Sequence, residues 1–175
     1  RPDGTVLWSA ELDPSMFGSG DQARGLALSP DGTLWVAGNT PGPDATADVL
    51  LARYDALTGQ LLGTTPFSTG PSKSESARAI MRRASGAGCS CDASGAAYVA
   101  AGTVGDGADV MILKFDASGQ HVWTRIWDGP GSSPWSSDSA RAVHIGPDGH
   151  LFVQAQAVMS NLHPDYVVLK LDAAT

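Results

Sequence analysis

The chain has 175 residues, with 18 acidic against 11 basic side chains and a formal charge of −7. Apolar residues make up 42%, which argues against disorder, and no apolar run approaches the roughly 18 residues of a membrane-spanning helix. The acidic balance repels phosphate backbones, so nucleic acid is an unsuitable partner.

The first element in chain order is "DGTVLWSAEL", residues 3–12, which reads as an outermost strand because it matches "ASGQHVWTRI" far downstream, with Trp8 against Trp123. Four short strand candidates follow: Gly25–Ser29, Thr33–Gly38, Val49–Tyr54 and Gln60–Thr65. Alternation is visible in Leu34 and Val36 against Trp35 and Ala37. The stretch "PDGTLWVAGN" returns as "ASGAAYVAAG" from Ala93 and as "PDGHLFVQAQ" from Pro147. Ala-Arg pairs start the units at 23, 77 and 140, spacings of 54 and 63, and strand-ending aspartates fall at Asp55, Asp116 and Asp172. The turns are Asp31-Gly32, Ser94-Gly95 and Asp148-Gly149 between strands one and two, and Thr58-Gly59 and Ser118-Gly119 between strands three and four. Glycine supplies the positive φ that such tight hairpins need. No helical periodicity competes.

Four antiparallel strands at this period describe a β-propeller blade. The expected fold is all-β: one partial propeller domain over residues 1–175, with three four-stranded repeats near 21–70, 75–130 and 138–175. The third repeat stops after its third strand, and a permuted N-terminal outer strand like 3–12 would complete it. The units also resemble the bacterial β-propeller repeat family of secreted and surface proteins. The matching residues are Asp31, Gly32, Trp35, Val36, Gly38, Asp48, Arg53, Asp55 and Gly59, and in the second unit Gly95, Tyr98, Val99, Gly102, Asp109, Lys114, Asp116 and Gly119. The third unit departs, with Gln154 and Ala155 where a glycine-ended strand belongs. The resemblance implies an extracellular bacterial setting and no single activity. The low charged content of 17% points the same way.

Propellers close with roughly four to eight blades, so three do not suffice. The expectation is either a fragment of a larger propeller or two copies closing a six-bladed ring. Further blades, from this chain or another, are therefore the first expected partners.

Few residues invite chemistry. Cys89 and Cys91, in an insertion confined to the second unit, could form a small-ring disulfide, stay free, or contribute to a soft metal site; zinc would need two more ligands. The four histidines lack metal-ligand spacing, and His144 is placed on an innermost strand. No nucleophile elbow, phosphate-binding loop or zinc-protease motif occurs, so no cofactor or metal is expected. Asp48, Asp109 and Asp165, each followed five residues later by Arg53, Lys114 or Lys170, recur in every repeat and read as structural.

Loop length is the better clue. The segments 39–47, 67–76, 127–139 and 155–164 are long and would emerge on one face, where binding sites on rigid scaffolds tend to lie. They and the N-terminal connection carry Phe17, Phe67, Trp127, Asp128, Trp135, Asn161 and His163. Exposed Trp beside Asp and Asn suits stacking on a sugar ring or a protein contact; packing between blades is the competing reading for Trp127 and Trp135. The expected function is a non-catalytic extracellular interaction module for a protein or surface polymer. A lectin-like propeller is the alternative, and an enzyme with a channel site is less supported.

Overall fold

A computed structural model describes residues 3–14, 20–71, 73–82, 95–104, 108–130, 138–158 and 163–173. Phe17, Cys89, Cys91, Trp135 and Asn161 lie outside them. Eleven strands make up the described secondary structure. The first sheet holds β1 (Gln22–Leu28), β2 (Thr33–Pro41), β3 (Ala47–Asp55) and β4 (Leu61–Phe67), in that spatial order. The second holds β5 (Ser74–Arg82), β6 (Ala97–Val104), β7 (Val110–Phe115) and β8 (His121–Trp127). The third is three-stranded, with β9 (Ser139–Ile145), β10 (Leu151–Val158) and β11 (Pro164–Leu171). All pairings are antiparallel between chain neighbours. These are three propeller blades, the third of them with three strands.

The hairpins form where the sequence places its Asp-Gly and Ser-Gly pairs. Gly32 and Gly119 take φ of 84° and 86°, which a side chain would resist. The aspartate opening each turn fixes it: Asp31 Oδ1 accepts from Thr33 N at 2.9 Å, and Asp116 Oδ1 accepts from Ser118 N at 2.8 Å and Gln120 N at 3.0 Å.

Period-two alternation gives each blade two apolar faces, a leading face toward the preceding blade and a trailing face toward the next. The trailing face of blade one (Trp35, Ala37, Val49, Leu51) is buried in one core with the leading face of blade two (Ala97, Val99, Ala101, Met111, Leu113, Phe115). The trailing face of blade two (Tyr98, Ala100, Val110, Ile112) is buried with Val143, Leu151, Val153 and Ala155 of blade three. Large residues from one blade thus fill the space over small ones on the next, which is how stacked sheets reach interior density. Polar links cross the same gaps. The Arg82 guanidinium of blade two, held in its own blade by donating from Nε and Nη2 to Gly95 O, lies 4.5 Å from the Trp35 ring centre of blade one. Thr65 Oγ1 donates to Gly119 O at 2.8 Å, and Lys114 Nζ to Ala173 O at 3.1 Å.

The N-terminal segment sits where a preceding blade's outer strand would sit, but it makes no ladder. Residues 5–14 have no regular secondary structure. Trp8 covers the β3–β4 turn, its Nε1 donating to Ala56 O at 3.1 Å, and a Cβ on Gly59 would fall 2.7 Å from the indole. Ala10 and Leu12 line a groove with Val36, Leu50, Ala52 and Tyr54 on the leading face of blade one. An outermost strand needs the third strand of its own blade to pair with, and side-chain packing alone does not make a ladder.

Candidate functional site

The ends of β2, β6 and β10 and the starts of β1, β5 and β9 lie on the long-loop face. Acids organise the base of these loops. Asp138, 1% exposed, accepts from Gly129 N at 2.6 Å through Oδ2 and from Val158 N at 2.9 Å through Oδ1. One carboxylate therefore ties the loop leaving β8 to the end of β10. Glu75, fully buried at the same place in the preceding unit, accepts from Thr69 N at 3.1 Å and from Thr69 Oγ1. Sequence reasoning missed this pair. The signal was present, since Asp21, Glu75 and Asp138 each stand two residues before an Ala-Arg pair.

Asp109 and Asp128 join Asp138 in a cluster whose ligand oxygens all lie within 4.8 Å of one another. Burial, then the Asp128 and Asp138 charges, push the Asp109 carboxyl above the usual range. Three such carboxylates are hard oxygen donors of the kind that hold calcium or magnesium. Both oxygens of Asp138 already accept backbone N–H groups, so its structural use is evident. Asp48, the counterpart of Asp109, is 7% exposed and raised mainly by burial.

A second constellation lies on the innermost strands. β1, β5 and β9 each carry one β-bulge, between Ala23 and Gly25, between Ala77 and Ala79, and opposite the Gln154–Ala155 step, where Ala140 and Ala142 are the paired residues. The extra residue is Arg24, Arg78 and Arg141 in turn. A bulge bends its strand and re-aims the inserted side chain. The small residue after each arginine lets adjacent inner strands come close: a Cβ on Gly25 would lie 3.1 Å from Ile80 N and 3.2 Å from Ala79 Cα. Arg24 and Arg141 consequently flank Arg78 closely enough for their charges to act on it. Burial, then Arg141, then Arg24 lower the Arg78 pKa below the ordinary arginine value. Arg24 Nη2 donates to Gln22 Oε1, and Arg141 Nη2 to Gln156 Oε1 at 2.9 Å. Arg78 Nε is buried with no hydrogen-bond partner among the described residues.

The sequence-predicted site residues within the described set do not form one exposed patch. Trp127 is half-buried and packs against the core between blades two and three. Phe67 is half-buried against the other core, its ring 4.7 Å from that of His121. Asp128 is exposed and belongs to the acidic cluster. His163 is exposed just before β11. His144 is exposed opposite Phe152, on the trailing face of blade three.

No family model matches the chain, and no curated protein matches it. Among solved structures, it is similar to the WD40 domain of SCAP from fission yeast, with 9% identity and a TM-score of 0.27. That similarity covers 91% of this chain and 46% of the other, so the chain spans less than half the length of that structure. The assignment to propeller blades rests on the sheet orders and the two blade interfaces given above.

Proposed function

We propose that the chain is a non-catalytic interaction module that binds a protein or extracellular polymer through its long-loop face. The setting we propose is the one its resemblance to bacterial β-propeller repeats implies, at or outside the cell surface. The observation that carries this reading is the anchoring of the loops at that face. Glu75 holds Thr69 and Asp138 holds Gly129 and Val158, so variable loops leave a fixed frame. A fixed frame lowers the ordering cost of binding. The half-burial of Trp127 between blades favours a general contact surface over a sugar-stacking platform.

The test replaces loops on one face at a time. Replacing residues 42–46 and 68–71 with Gly-Ser segments is expected to abolish binding to extracellular polymers or secreted proteins on an array. Substitutions in the opposite turns at 30–31 and 147–148 are expected to leave it intact. Binding that survives the first set and is lost with the second would overturn the proposal.

A further inference from the structure

The arginines of the inner strands do not belong to the blade-packing cores, and the loop anchors do not use them. Each sits in a bulge, the one irregularity of its strand, about three residues from the long-loop end of the neighbouring second strand. Holding like charges together is unfavourable, more so where burial lowers the local dielectric. Carboxylates would relieve that cost, yet Gln22 and Gln156, whose side chains accept from Arg24 and Arg141, are neutral amides. The charges that act on Arg78 are two more cations. The gathered charge is therefore left available on a protein whose total charge is −7.

We propose that Arg24, Arg78 and Arg141 form an oxyanion-binding site on the inner wall, at the long-loop end, that takes a polymer bearing repeated carboxylate or sulfate groups. This rests on the interaction-module reading and names the chemistry of its ligand. Guanidinium presents a planar fork of donors that matches a carboxylate or sulfate, and successive arginines give successive anionic groups successive partners. Arg78 supplies a half-buried centre whose Nε has no partner among the described residues. Arg24 and Arg141 flank it, each able to exchange a neutral glutamine for an anion. Because the net charge of the chain is negative, diffuse attraction between protein and polyanion is absent, and affinity has to come from this local column.

The test titrates the full chain calorimetrically with oligogalacturonate, dextran sulfate and neutral dextran. Oligogalacturonate and dextran sulfate report carboxylate and sulfate respectively. Binding of at least one polyanion, not of dextran, and a steep loss of affinity with added salt are expected. R78Q should weaken binding by at least about ten-fold, as should the exposed double variant R24Q/R141Q, which does not disturb a core. R78K should recover part of the loss because it keeps the charge but not the fork. R125Q, on β8 away from the inner wall, should bind like the parent. Equal binding by parent, R78Q and R24Q/R141Q would overturn the arginine site while leaving the interaction-module reading standing. Failure of the parent to bind either polyanion would overturn the inference on its own, since the loop-replacement test is scored on other ligands.

Discussion

Trp35 illustrates how one side chain serves two blades. It is 1% exposed, with Arg82 of blade two at 4.5 Å and Arg53 of its own blade at 5.5 Å from the ring centre. W35A should cost about 3–5 kcal/mol by urea unfolding, from lost burial and an inter-blade cavity. W35F should cost less than about 1.5 kcal/mol, since Tyr98 and Phe152 occupy the same register in the other blades and the indole N–H makes no hydrogen bond among the described residues. The acids of the long-loop face should respond in opposite directions. D138A removes the acceptor of two backbone N–H groups and should destabilise by about 1–3 kcal/mol, with faster hydrogen exchange at Gly129 and Val158. D109N removes a charge that burial and two neighbouring carboxylates oppose, and should raise the melting temperature at neutral pH.

At the scale of the element, the turn aspartates link the hairpins to pH. Hydrogen bonds hold Asp31, Asp55, Asp116 and Asp148 below the ordinary carboxylate value, the Ser29, Thr58, Ser118 and Lys170 side chains being the largest cause in turn. A carboxyl depressed in the folded state stabilises it fully above its unfolded pKa and loses that contribution as pH falls through the folded value. Asp48 and Asp109 are raised, so their ionisation opposes folding and protonation relieves it. Stability measured by thermal melts should therefore change little or rise slightly from pH 7 to about pH 5, then drop below about pH 4 as the turns lose their acceptors. In the variant D55N/D116N the acid drop should be shallower; an unchanged drop would remove the turns as its cause. These turns were legible from sequence because Asp-Gly and Ser-Gly chemistry acts within a few residues. The bulges at Arg24, Arg78 and Arg141 were not, because a bulge is defined by two strands whose register emerges only when they pair.

For the whole molecule, the blade interface is made twice, and part of each half is also left exposed; on blade one the N-terminal segment lies over Leu50, Ala52 and Tyr54, which are buried, but leaves the inner strand open. On the leading face of blade one, Leu26 and Leu28 are 69% and 64% exposed; on the trailing face of blade three, Tyr166 and Val168 are 83% and 60% exposed. Lys114 reaches the next blade, whereas Lys170, its counterpart in blade three, turns back to Asp148 Oδ2 at 2.7 Å. Apolar faces of this kind favour association. Sedimentation of the isolated chain should show concentration-dependent self-association, weakened by L26E/L28E and by Y166E/V168E. A native-like chain that stays monomeric at high concentration would show that these faces do not pair with each other.

The sequence by itself determined the blades. Repeated turn chemistry fixed the tight-turn ends of the strands, whereas at the long-loop end β1 begins at Gln22 and β2 runs to Pro41, past the Gly25 and Gly38 expected; period-two alternation fixed which side chains share a face, and both signals are local. It also marked Trp127 and Phe67, but not their fate, since half-burial against the adjacent blade depends on residues from another repeat. Only the tertiary structure decided that Glu75 and Asp138 anchor loops and that Arg24 and Arg141, 54 and 63 residues from Arg78 in the chain, act on it. Such groupings come from sheets stacking around a common axis. Stacking brings equivalent positions of successive repeats together in space while they remain far apart in the chain.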